Sequence, residues 1–165
     1  MSELSELLER FRRGAELAAV VLTGLYGEEE DFVEAPGAWS IRQIMAHLAD
    51  SELVAAMRFR QVIAEDNPTL VAFNQDAWTA KLDYQRRKPK VSLEQFRRLR
   101  SENHELLRTL PESDFEERAG THTENGPMTL RQLLEGYAQH AEQHAAQMQA
   151  LRERYAQSKR KSQSP

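Results

Sequence analysis

Long stretches of this chain repeat apolar residues every three or four positions, and strand-like alternation is nearly absent. That periodicity dictates helices with one buried face. In the first stretch Leu4, Leu7, Leu8, Phe11, Leu17, Val20, Val21 and Leu22 recur at three- and four-residue spacing, with Gly24 and Gly27 able to end it, which predicts helix one over roughly residues 2–24. Three further starts carry capping-box spacing: Ser40-Ile41-Arg42-Gln43, Ser92-Leu93-Glu94-Gln95 and Thr129-Leu130-Arg131-Gln132. In such a box the hydroxyl accepts a backbone N–H three residues on while the glutamine side chain reaches back. Helix two then runs to about residue 65 before Asn67-Pro68; helix three is ended by Pro111; helix four carries Leu130, Leu133, Leu134, Tyr137, Ala141, Met148, Leu151 and Tyr155 inward.

The connections constrain the topology. About 25 residues separate helices two and three, more than a tight antiparallel hairpin uses, so the chain can cross the bundle and leave those helices parallel. Within the crossover, Phe73, Trp78 and Leu82 mark a short extra helix between Leu70 and Tyr84. The expectation is one all-α domain over residues 1–156 and a disordered polar tail over 157–165, where Lys159, Arg160 and Lys161 could touch an anion but read better as solvated.

Composition removes whole classes of chemistry. With no cysteine, the 165-residue chain has no disulfide framework, thiolate metal site or cysteine nucleophile of its own, so a metal must bind nitrogen or oxygen. A formal net charge of −4 repels a phosphate backbone and argues against nucleic acid as a partner. No apolar run approaches the roughly 20 residues of a membrane span. The acidic, amphipathic start Met1-Ser2-Glu3-Leu4-Ser5-Glu6 is unlike a signal peptide, and a cytoplasmic protein is expected.

His140 and His144 stand four residues apart in helix four, on one face and about 6 Å apart at Cβ, within reach of a single ion. Both fall on the inward stripe, where each imidazole needs a hydrogen-bond partner or a metal. His47, on the flank of helix two's apolar face, can face the same cavity. Three histidines without a fourth protein ligand leave open positions, as in catalytic rather than structural sites. A histidine pair at this spacing also arises by chance, and a core histidine is ordinarily satisfied by a hydrogen bond. The zinc-protease pattern is excluded because Ala141 follows His140 where a glutamate is needed, and Glu142 reads as solvent-facing. No Glu precedes any His by three positions, which excludes a di-iron bundle. His104, between Glu102 and Glu105, reads as a surface residue; His122, in the polar loop before helix four, is an acid/base or fourth-ligand candidate or simply orders the loop.

Trp39-Ser40-Ile41-Arg42-Gln43-Ile44, His47-Leu48-Ala49-Asp50-Ser51-Glu52, His122-Thr123-Glu124-Asn125-Gly126, Thr129-Leu130 and His140-x-x-x-His144-x-x-Gln147 together resemble the DinB-like (YfiT-like) superfamily over about residues 5–155. The resemblance implies an up-down-down-up four-helix bundle, frequent homodimers, and a divalent metal, zinc or nickel, held by His47, His140 and His144. It departs at Thr123, where the family loop commonly reads His-Pro-Glu-x-Gly. Relatives of this kind include low-molecular-weight-thiol S-transferases, a thiol-dependent isomerase and metal-dependent hydrolases. The implied reading is thus a mononuclear three-histidine metalloenzyme on a small-molecule substrate, thiol S-transfer first and hydrolysis second, with His122 as proton carrier and a low-molecular-weight thiol as possible cosubstrate. A non-catalytic dimeric metal-binding or stress protein is the alternative from another class. Arg42, Arg58 and Arg131 can bind a carboxylate of a thiol cofactor if they point inward, and Asp50, one turn from His47, can orient it; solvated side chains are the plain reading of all four.

Overall fold

The computed structural model describes residues 2–162. In chain order these form α1 (Glu3–Leu22), α2 (Glu28–Asp31), α3 (Ile41–Ala64), β1 (Thr69–Leu70), α4 (Gln75–Lys81), a 3-10 turn (Tyr84–Arg86), α5 (Pro89–Leu107), α6 (Asp114–Glu117), β2 (Ala119–His122), β3 (Gly126–Thr129) and α7 (Leu130–Ser162). Helices α1, α3, α5 and α7 make the bundle, and cross-links fix their directions. Arg10 meets Glu142 while Arg152 reaches the Val21 and Thr23 carbonyls, so α1 and α7 run the same way. Glu52 meets Arg100 and, further along, Arg60 meets Asn103, so α3 and α5 run together. Phe11 packs edge-on against Phe59, whereas Val21 shares a cluster with Ile44, so those two pairs oppose each other. The order is up-down-down-up, and the long crossover with α4 is what permits it.

Two of the three capping boxes form. Ser40 and Gln43 cap α3 reciprocally, and Thr129 with Gln132 does the same where β3 turns into α7. The third does not: α5 starts earlier, with Pro89 in its first turn after Lys88, and Ser92 is buried inside the helix. Proline lacks the N–H that the first helical position leaves unbonded anyway, so Pro89 supplies a start that precedes the box. The same helix ends at Leu107, before Pro111. Along α7 the helix continues past its apolar stripe to Ser162, and Lys159 is bonded to Glu28 at 2.7 Å rather than free for an anion. The expected tail is therefore helical from 157 to 162, and residues 163–165 lie outside the described part.

A three-stranded sheet, order β1-β2-β3, closes one end of the bundle, with β1 parallel and β2 antiparallel to its neighbours in β2 and β3. Gly120 permits the close approach: a Cβ there would lie 3.0 Å from both the Pro68 carbonyl and Leu70 Cγ.

Two apolar clusters fill the bundle. One joins Ala18, Val21, Ile41, Ile44, Leu48, Phe96 and Met148; the other joins Leu7, Phe11, Phe59, Leu107, Leu133 and Leu134. Between them lies a polar layer in which Arg100 and Glu52, each 1% exposed, bond at 2.6 Å. Asn103 donates to the other Glu52 oxygen at 2.9 Å, and Arg100 also donates to the Phe11 carbonyl and lies 3.9 Å over that ring. Gly14 makes room for it, since a Cβ there would stand 2.9 Å from Arg100 Nη1 and 2.7 Å from Ala141 Cβ. Among the described residues no helix is long and apolar enough to cross a membrane.

Candidate metal centre

His47, His140 and His144 meet at the level of that polar layer. The 40/43 cap sets the phase of α3 so that residue 47 follows Ile44 onto the buried face, where its side chain is 1% exposed. From α7, His140 and His144 reach the same point from a half-buried edge of the stripe, beside buried Ala141 and Ala145. His140 Nε2 lies 2.9 Å from His47 Nε2 and 3.1 Å from His144 Nε2, and one nitrogen of each ring falls within 4.8 Å of the others. The Trp39 ring packs 5.0 Å from His47.

Three ring nitrogens aimed at one point cannot satisfy each other, because each neutral imidazole has one N–H and one lone pair. The bonding around His144 resolves its tautomer: Nδ1 lies 2.8 Å from Gln147 Oε1, an acceptor, so Nδ1 carries the hydrogen and Nε2 turns its lone pair inward. Nitrogens bound at about 2.1 Å to a tetrahedral ion stand about 3.4 Å apart, close to the two distances seen. The residues present fit a divalent ion held by nitrogen, with Gln147 placed to orient the His144 ring from outside.

Electrostatics favour the same state. Burial, then the neighbouring His144, push His47 down to about 4 against a partial opposing pull from Asp50. Burial, His144, His47 and Arg100 push His140 down to about 3. Burial also lowers His144, opposed by its bond to Gln147. All three are neutral near pH 7, with lone pairs available.

A cavity of about 180 Å³ opens beside the cluster, lined by His140, Ser51, Arg58, Phe73, His122 and Tyr137 among others. Of Arg42, Arg58 and Arg131, only Arg58 lines it. Nη1 of Arg58 donates to the Tyr137 hydroxyl at 2.9 Å, and Nη2 donates to the Val71 carbonyl at 2.8 Å and lies 3.1 Å from His122 Nε2. Arg42 is held by Asp31 and Glu30, and Arg131 by Glu116, so neither is solvated nor turned to the cavity. His122 ends β2 instead of lying in a loop, paired with Leu70 and Gly126, and is lowered by burial and then by Arg58. Thr123 supports this strand: its N–H reaches the Leu70 carbonyl at 3.1 Å and its hydroxyl oxygen accepts from Ala72 N at 2.9 Å. Asp50 is buried, yet it bonds Tyr84 and Arg87 and ties the crossover to α3, with no bond to His47. His104 is half-buried beside Glu105, not a surface residue, because α1 covers it with Glu9 and Arg12. Tyr137, legible only as a packing position, turns out to carry a polar role, and its signal was one hydroxyl on an otherwise apolar stripe.

The sequence model of the DinB superfamily matches residues 10–148. A protein of Oceanobacillus iheyensis named "Putative metal-dependent hydrolase" is 32% identical over 127 residues, 77% of this chain and 73% of its own. YfiT of Bacillus subtilis, which carries the same description, is 31% identical over 119 residues, 72% of this chain and 66% of its own. The solved structure of Bacillus subtilis YfiT, described as an unusual four-helix bundle, superposes with a TM-score of 0.86 at 24% identity, covering 94% of this chain and 90% of that one. The up-down-down-up order derived above is thus a shared architecture, and this chain belongs to the DinB superfamily.

Proposed function

We propose that this protein is a metal-dependent hydrolase of a small molecule that occupies the cavity beside His140. The observation that carries the reading is the convergence of three neutral imidazoles, His47, His140 and His144, of which His140 lines a cavity with polar donors. Relatives with the name of metal-dependent hydrolase support the reaction class. His47, His140 and His144 would hold a divalent ion suited to nitrogen donors, zinc or nickel, which when bound would supply Lewis acidity and lower the pKa of a bound water or thiol toward neutrality. The chain's own groups do the rest. Phe73, Met128 and Leu133 give the cavity apolar walls that exclude water from a bound substrate. His122 takes hydrogen bonds from the N–H groups of Glu124 and Asn125 at Nδ1, both at 3.2 Å, which leaves its proton on Nε2 and makes it a donor in this reading.

Thiol S-transfer is the second reading. It is favoured by the absence of cysteine, which requires any reactive sulfur to arrive as a low-molecular-weight cosubstrate, and by the apolar wall that such a molecule would meet.

Elemental analysis of the purified chain is expected to find a divalent ion, with a melting temperature that falls on chelation. No metal and no chelator effect would overturn the metalloenzyme reading. Assays of aryl esters and amides, with and without thiols and an electrophilic acceptor, separate the two reactions: turnover without thiol supports hydrolysis, and strictly thiol-dependent turnover supports transfer. His47→Ala should abolish either activity.

A further inference from the structure

We propose that the cavity holds the carboxylate of its substrate between Arg58 and His122, so that the substrate class is a small carboxylic acid with an apolar body. The inference deepens the reading above, and rests on it only for the chemistry done at His140.

The bonding around His122 leaves a mismatch that such an anion removes. Its Nδ1 receives two backbone N–H groups, from Glu124 and Asn125, and so must accept. The one N–H of the neutral ring is then on Nε2, and Nε2 stands 3.1 Å from Arg58 Nη2, itself only a donor. Reversing the tautomer moves the conflict to Nδ1, where the two backbone donors cannot turn away. An oxygen acceptor against Nε2–H and Nη2–H satisfies both groups.

Charge points to the same occupant. Arg42, Arg87, Arg100 and Arg131 each sit on a carboxylate. Arg58 has a carbonyl, a phenol and an imidazole instead, its Nε is buried without a partner, and among the described residues no carboxylate pairs with it. A guanidinium in that setting is a carboxylate receptor with two adjacent donors, one from each residue. Tyr137, whose oxygen already accepts from Arg58, keeps an O–H to donate at the same wall. Phe73, Met128 and Leu133 supply apolar surface for the rest of the molecule, and about 180 Å³ keeps it small.

The test is calorimetric titration of the whole protein, as purified and after chelation, with benzoate and with benzamide as its uncharged counterpart. Benzoate is expected to bind both forms, with benzamide at least about ten-fold weaker, as loss of a charge-assisted hydrogen bond implies. Arg58→Gln should weaken benzoate at least about ten-fold with metal content unchanged, and the His122 Nε2 nitrogen resonance should move on adding benzoate only. If Arg58→Gln fails to fold, His122→Phe removes the other donor and should show the same loss. Absence of benzoate binding, equal binding of benzamide, or benzoate binding indifferent to both substitutions and lost on chelation overturns the subsite. A chain that holds no metal but binds benzoate through Arg58 keeps the subsite and removes the metalloenzyme reading.

Discussion

Gln147 takes a hydrogen bond from His144 Nδ1 at 2.8 Å, one turn along α7, and thereby decides which nitrogen His144 turns toward His140 and His47. Gln147→Leu keeps the helix and the volume but frees the imidazole to flip its tautomer. Groups that orient a ligand in this way are worth about 10- to 100-fold in metal affinity. Chelator competition should show a loss in that range with the far-ultraviolet circular dichroism unchanged; unchanged affinity would remove Gln147 from the site.

The metal-free chain should lose stability in mild acid. His47 and His140 sit at about 4 and about 3 in the folded state, below the ordinary histidine value of 6.5. Between those values the unfolded chain binds protons that the folded chain refuses, so stability falls as pH falls through that window and is complete above pH 6.5. Melting curves of the chelated protein from pH 7 to pH 4 should drop steadily. In His47→Gln the drop should be shallower but not abolished, because one of the groups that titrate differently in the two states is gone and His140 remains.

The buried Arg100–Glu52 pair is expected to be costly to halve. Both groups are 1% exposed and bond at 2.6 Å, so Arg100→Leu strands a carboxylate whose other hydrogen-bond partner among the described residues is Asn103. Denaturant unfolding should show a loss of about 3–5 kcal/mol. Arg100→Leu with Glu52→Leu should recover part of it, since no buried charge is then left unpaired.

These residues also show what was legible beforehand. The starts of α3 and α7 could be read because a capping box is local: Ser40 with Gln43, and Thr129 with Gln132, need nothing beyond their own turn. The histidine cluster could be read from the spacing of 140 and 144 and the family resemblance. The sheet could not, since strands of two and four residues have no period to detect. Nor could the Arg58–Tyr137–His122 wall, which joins residues 64 and 79 positions apart, or Arg100 and Glu52, whose charge reads as surface until the fold buries both.

Gly14 should tolerate no side chain. A Cβ there meets Ala141 Cβ at 2.7 Å and Arg100 Nη1 at 2.9 Å, the first fixed on α7 and the second held from α5 by its bonds to Glu52 and the Phe11 carbonyl. Gly14→Ala ought to gain helix propensity at an interior position of α1, about 1 kcal/mol on an exposed helix. Overpacking costs typically about 1–3 kcal/mol and here also presses on the residue next to His140. A net fall in melting temperature is expected, and a rise would mean that α1 can shift away from α7.

Thr123 stands where the resemblance noted from the sequence implies a proline, and its bonds make a direct comparison of the two residues possible. Its N–H holds the Leu70 carbonyl and its hydroxyl holds Ala72 N, so it pins the segment that carries Val71, the acceptor for Arg58, and Phe73, a cavity wall. Thr123→Pro removes both bonds, at about 1 kcal/mol each. Thr123→Val removes only the hydroxyl bond. Hydrogen exchange at Ala72 should therefore quicken in both variants, while unfolding should show the larger stability loss for Thr123→Pro. If proline proves neutral, its rigid φ compensates for the lost N–H, and the strand is held by the β2–β3 pairing alone.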